Sequence, residues 1–228
     1  LFAGYAYLQA EEGEFTGEML DRAEASDSAS QYTADITFLN AENAFHDHQL
    51  DTALYFYDLL AADPQTPDKH AFAVRRSATI HLSRGALGEA RQQLELLGGP
   101  AAPSLEALDA YAAGKDKSPV VGGLLGLIPG AGYWYSGEIA NGFRSLILNS
   151  LFMYGMVDTA QEEQWGAFAV ITFFEVTWYS GSVYGGIDAA HRHNRDRLND
   201  TIEAIEGNMH YQAGSGVTAP LFKLNFEF

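Results

Sequence analysis

Few residues of this sequence combine the type and the spacing that chemistry demands. Glu175 is the sole charge in the apolar stretch 165–187. A carboxylate there is costly unless it is protonated or paired, and Arg144, on the preceding apolar stretch, is the cation expected to pair with it. Such a pair would be a clamp between helices or a proton or ion site. His191 and Asp188 are three residues apart and share a helical face, but His193 points elsewhere and no third ligand follows, Asp196 included. His46 and His48 have the same weakness, so no metal is expected. There is no cysteine, which excludes thiolate catalysis, disulfides and cysteine-based zinc sites. The run GGLLGLIPGAG (122–132) is glycine-rich, but it lacks a G-K-[ST] ending and follows no strand, so it is no phosphate loop. No G-x-S-x-G elbow is present either, since GSGVT (214–218) lies in a linker. The expectation is a protein that is not an enzyme and carries no cofactor.

The elements that must carry these residues fall into regions of different composition. The chain has 228 residues, 47% of them hydrophobic and 13% aromatic, too rich for a disordered polymer and long enough for one large domain or two small ones. It holds 30 acidic against 13 basic residues, a formal net charge of -17, which argues against attraction to nucleic acid because phosphate binding needs a basic surface; no nucleic-acid partner is expected. Nineteen of the acidic and eight of the basic residues lie before position 119, whereas 119–190 carries only seven charges. The chain opens on Leu1 rather than Met, as it would after removal of a leader.

The first region reads as helical hairpins. Ile36, Leu39, Ala44 and Phe45 recur at helical spacing across 31–49. Leu50, Ala53, Leu54, Phe56, Tyr57, Leu60 and Ala61 cover a second helix, which Asp63-Pro64 and Thr66-Pro67 stop. Asp68 is the expected N-cap of a third helix that runs to Arg84-Gly85, and a fourth runs from Leu87 to Gly98-Gly99. Leu50, Ala53 and Leu60 match Leu87, Ala90 and Leu97 at an offset of 37 residues. An earlier copy is expected in YAYLQAEEGEFTGEML (5–20), with Phe15 at the Leu50 position. A period near this length resembles tetratricopeptide repeats, whose stacked pairs bind proteins over an extended surface.

The second region reads as membrane-associated. Residues 120–136 lack charge but are broken at IPGAG (128–132), which suits a kinked or interfacial segment. Residues 142–157 are short for a span unless Arg144 snorkels, and 165–187 is long enough to cross a bilayer of about 30 Å. Tyr133, Trp134, Tyr135, Trp165, Trp178, Tyr179 and Tyr184 sit near segment ends, as an interfacial belt requires. The loop DTAQEEQ (158–164) is acidic, while Lys115, Lys117 and HRHNRDR (191–197) flank the region with positive charge. A hairpin with both ends on one side of a membrane is expected.

IPGAGYWYSGEIANGF (128–143) resembles the P-G-x-G-x-x-Y-x-G signature of small bacterial membrane-hairpin domains, carried here by Pro129, Gly130, Gly132, Tyr135 and Gly137. FFEVTWYSGSVYGGIDAAHRHNR (173–195) is similar to the second helix of a bacterial envelope family in which this domain follows tetratricopeptide-like helices. The resemblance extends over about residues 5–200. It implies an envelope location, in the inner or the outer membrane, and no catalytic residues.

At the end of the chain Phe222, Leu224, Phe226 and Phe228 alternate with Lys223, Asn225 and Glu227, the pattern of a half-buried strand that pairs with a partner's sheet edge. The expected architecture is therefore all-α with one short C-terminal strand. Repeats occupy 1–100, a linker 101–118, a membrane-associated helical domain 119–206, a second linker 207–220 and the strand 221–228. The expected function is a non-enzymatic scaffold or accessory subunit of a bacterial envelope complex, with other envelope proteins and the lipid bilayer as partners. The competing expectation is a transporter or enzyme subunit built on Arg144 and Glu175.

Overall fold

A computed structural model describes residues 1–26, 29–63 and 66–207. The expected strand 221–228, with Phe222, Leu224, Phe226 and Phe228, and nearly all of the linker before it lie outside the described residues. What is described is all-α. Three helical hairpins come first: α1 (Phe2–Gln9) with α2 (Gly13–Glu24), α3 (Thr33–His46) with α4 (Leu50–Ala61), and α5 (Pro67–Ser83) with α6 (Leu87–Glu95). Then follow α7 (Ala102–Ala113), the short α8 (Pro119–Leu125) and α9 (Ala131–Tyr135), and two long helices, α10 (Ile139–Gln161) and α11 (Trp165–Glu206).

The 37-residue period governs all three hairpins. Their second helices start at Gly13, Leu50 and Leu87, and their first helices end at Gln9, His46 and Ser83. Each turn places one residue in the left-handed region, Glu11, His48 and Gly85 with φ of 60°, 58° and 75°. The amide that follows donates to a carbonyl five residues back: Glu12 to Tyr7 at 3.0 Å, Gln49 to Ala44 at 2.8 Å, Ala86 to His81 at 2.9 Å. This is the hydrogen bond that closes a helix C-terminus when the chain reverses. The small residue at the close-packing position is Thr16, Ala53 and Ala90 in turn, and one turn later comes Leu20, Tyr57 and Leu94, all six buried. The first repeat is therefore registered on Gly13 and not, as expected, on Phe15, which is 48% exposed and stacks on Tyr7. The helix expected behind Asp68 is α5, which starts at Pro67 behind Thr66, so Asp68 is not its N-cap: proline suits the first helical position because no intrahelical partner awaits its missing N–H.

Two cores result. Leu8, Leu20, Phe38, Leu39, Tyr57, Leu60 and Phe72 form the first, beneath α1 to α5. Ala78, Leu82, Ala90, Leu94, Leu108 and Ile205 form the second, with Leu198 and Ile202 packed against it. The second core joins α5, α6 and α7 to the last turns of α11. The segment expected as a linker thus contains a packed helix, and the 42-residue α11 belongs to both regions. Its start lies beside α10 and its end lies among the repeats, so the boundary expected near residue 119 does not separate two independent cores.

Among the described residues no helix is long and apolar enough to cross a membrane. The expected crossing by 165–187 is corrected on that point. Glycines 166, 181, 185 and 186, Thr172, Glu175, Thr177, Ser180 and Ser182 dilute the apolar residues along the whole stretch.

Candidate functional site: a hairpin with a polar seam

Residues 118–192 form a corner and a hairpin. Ser118 begins α8 by accepting from the Val121 amide at 3.4 Å, with Pro119 at the first helical position. After α8 the chain reverses at Gly130, φ 88°, and again at Gly137, φ 89°. These two motif glycines supply left-handed backbone that a side chain would strain. Gly132 serves differently. A Cβ there would strike the Gly122 carbonyl and the Gly186 Cα, so three helices meet backbone to backbone at Gly122, Gly132 and Gly186. The aromatic rings of α9 lie on glycines as well: a Cβ on Gly142 would enter the Trp134 ring, and one on Gly185 the Tyr133 ring. Tyr135 accepts from the Ser118 amide at 3.0 Å and carries the Lys117 ammonium 4.8 Å above its ring. Pro129, Gly130, Gly132, Tyr135 and Gly137 are thus brought together at one corner, where each sets a turn or a close approach.

The corner is stapled to α11 by polar contacts between residues far apart in the sequence. Arg192 grips the Glu138 carboxylate, with Nε at 2.8 Å from one oxygen and Nη2 at 3.0 Å from the other, and also pairs with Asp188. Asn194 bonds both ways to the Lys117 backbone, accepting at 2.7 Å and donating at 2.9 Å. Arg197 holds Asp116 and the Tyr111 carbonyl. Burial works against the Arg192 charge, but the bond to Glu138 and the nearby Glu138 and Asp188 charges hold its pKa above the ordinary guanidinium value. The i,i+4 spacing of Asp188 and Arg192 was readable in the sequence; the long-range partners Glu138, Lys117 and Asp116 were not.

Beyond the corner, α10 and the first half of α11 run side by side. Ser145 Oγ donates to Ser182 Oγ at 3.1 Å, and Gly155 faces Ile171. Along this seam the buried residues are Gly142, Ser145, Asn149, Thr159, Glu175, Ser182 and Gly186. The outside is apolar: Phe143, Ile147, Leu151, Tyr154, Val157, Val170, Phe173, Phe174, Val176 and Trp178 are all exposed. Asn149 Nδ2 donates to the Ser145 carbonyl at 2.7 Å, and its buried Oδ1 accepts no hydrogen bond.

The expected pair of Arg144 and Glu175 does not form. The register set by Ser145 and Ser182 puts Glu175 level with Phe152, eight residues beyond Arg144, or about 12 Å along the helix. Arg144 instead donates to Asn141 Oδ1 at 3.1 Å in the open. Glu175 is 5% exposed, and neither carboxyl oxygen has a hydrogen-bond partner. Burial raises its pKa above the ordinary carboxylate range, which favours the neutral acid. Asp188 is taken by Arg192, and no cluster of three His, Asp or Glu that could hold a metal occurs among the described residues.

A second polar network closes the far end of α11. Arg76 reaches Glu206 at 2.6 Å and Glu42 at 3.6 Å, Thr79 donates to Glu206 at 3.0 Å, and Tyr57 donates to Glu42. Phe45 and Phe72 lie on the guanidinium at 4.5 and 5.1 Å. Burial opposes the Arg76 charge, yet Glu42 and Glu206 hold its pKa above the ordinary value. Burial, and then the charge of Glu42 and the bond to it, push the Tyr57 hydroxyl well up. The network ties α3, α4 and α5 to the last turn of α11.

Comparison with protein-family models, with curated proteins and with solved structures finds no match to this chain.

Proposed function

We propose that this chain is a non-enzymatic, membrane-associated scaffold whose α10–α11 hairpin lies in lipid while its helical repeats hold partner proteins. The observation that carries the reading is the reversed polarity of the hairpin. Serine, asparagine and glutamate are buried in its seam and the large apolar side chains face out. Helices associate in this manner when their surroundings are as apolar as leucine, because small residues then allow close backbone approach and polar ones find each other. In water a contiguous apolar surface of this kind drives association. The acidic turn at Asp158, Glu162 and Glu163 marks the end of the hairpin that stays hydrated, and Trp165 beside it suits an interface. The resemblance to a bacterial envelope family supports an envelope location and partners drawn from a multi-subunit complex. A transport or catalytic role for Arg144 and Glu175 has no ion pair to rest on.

The test is flotation of the full chain with phosphatidylcholine vesicles. The wild type is expected to rise with the lipid, and a variant with Phe143, Ile147, Leu151 and Phe173 changed to Ser is expected to stay below with unchanged helical circular dichroism. A wild-type chain that remains monomeric in buffer and does not float would overturn the reading.

A further inference from the structure

The turns of the first two repeats enclose a groove of about 520 Å³, lined among others by Glu11, Glu12, Asp47, His46 and His48 above a floor of Leu8, Phe45 and Leu50. No lysine or arginine lines it, and Arg84, beside the lining residue Ser83, is turned to Asp51 at 2.8 Å. Three features of the repeats shape this groove. At the position that Leu50 and Leu87 fill in the later repeats, the first has Gly13. A Cβ on Gly13 would run into the Asp47 carboxylate, so the missing side chain is what lets that carboxylate lie over the start of α2. The left-handed turn positions carry Glu11 and His48 where the third repeat has Gly85, so side chains stand at the groove where glycine would leave none. Asn43 also lines the groove, and its buried Oδ1 accepts no hydrogen bond.

We propose that this groove holds a basic, extended segment of a partner protein. Lysine or arginine heads would meet Glu11, Glu12 and Asp47 while their aliphatic stems cover Leu8, Phe45 and Leu50. Long basic side chains suit such a site because stem and head satisfy apolar floor and charged rim together. The groove crosses two repeats at their turns, the direction in which stacked hairpins offer a continuous surface. The proposal rests on the partner-holding half of the scaffold reading and is independent of lipid.

The test is fluorescence anisotropy of a labelled alternating arginine–glycine peptide on the full chain without lipid, with a glutamate–glycine peptide as reference. The basic peptide is expected to bind and the acidic one not. Exchanging Glu11 and Asp47 for Lys is expected to weaken binding at least tenfold more than exchanging the exposed Glu89 and Glu106, which alters net charge equally. Gly13→Leu, which fills the groove without changing charge, is expected to lower affinity in the same direction, with Glu11→Gln plus Asp47→Asn as the milder pair should the lysine variants fail to fold. Equal weakening by both lysine pairs would show attraction to net charge alone and overturn the groove, as would undiminished binding by Gly13→Leu. Flotation with vesicles is unaffected by any of these changes, so failure here and failure of the membrane reading are told apart.

Discussion

The repeats and the α10–α11 hairpin are built from the same motif and filled in opposite ways. Both turn through a left-handed residue followed by an amide that reaches five residues back: Glu11, His48 and Gly85 in the repeats, Gly137 and Glu163 around α10. Gln164 donates to Thr159 at 2.8 Å just as Gln49 donates to Ala44. Yet the seam of the repeats is filled by Leu20, Phe38, Tyr57 and Leu94, and that of the hairpin by Ser145, Asn149, Glu175 and Ser182. The difference teaches that backbone geometry and turn chemistry are indifferent to which side is apolar. In the repeats, burial of apolar area holds helices together. In the hairpin, glycine contacts and the bond between Ser145 and Ser182 do.

The comparison breaks most severely at the glycine corner. Gly186→Leu drives a side chain into the Gly122 carbonyl, which no rotamer relieves, and is expected to cost more than about 4 kcal/mol. Urea unfolding followed by Trp134 fluorescence reads it; a shift no larger than that of a surface change would show that the three helices do not meet through backbone. The next largest effect separates the two ends of α11. Arg76→Met leaves the buried Glu42 and the partly buried Glu206 carboxylates without their cation and is expected to cost about 3 kcal/mol, whereas adding Glu42→Gln and Glu206→Gln recovers much of the loss. Additive losses in the triple variant would mean that the three groups do not act as one network.

A matched pair sharpens the contrast directly. Phe38→Ala empties a filled core and is expected to cost about 3–5 kcal/mol. Phe173→Ala, at a residue 69% exposed, is expected to stay within about 0.5 kcal/mol in buffer while weakening vesicle binding. Similar costs for the two would erase the distinction between the regions.

The smallest effect is in pH dependence. Because burial raises the pKa of Glu175, the native state keeps a proton that the unfolded chain releases. The stability this supplies is complete below the unfolded carboxylate value near ~4.3 and is lost as pH rises through the higher folded value. Glu175→Gln removes the slope, so urea midpoints of wild type and variant measured in detergent should diverge with pH above that point. Parallel curves would mean that Glu175 finds a partner in the folded protein.

Much of this arrangement was legible in the residues themselves. The offset of 37 residues, the helices from Leu50 and from Leu87, and the break at IPGAG follow from periodicity, proline and glycine, which act within a few residues and are read locally. The first three residues of that break, 128–130, lie in the gap between α8 and α9. The register of the first repeat is hidden because Phe15 is apolar and prominent, while the aligned residues, Gly13 and Thr16, carry no apolar signal. The Arg144–Glu175 pair was misread because opposite charges on neighbouring apolar stretches say nothing about depth along the hairpin.

What the sequence alone determined is the set of local choices: all-α structure, hairpin period, glycine turns, and a net charge of -17. Only the tertiary structure decided which distant residues meet. It set the register that strands Glu175 opposite Phe152, joined Arg192 to Glu138 and Arg76 to Glu206, and ran one helix through both regions. The physical reason is that periodicity and turn preference are properties of a few adjacent residues, whereas register and long-range pairing come from packing whole helices against each other.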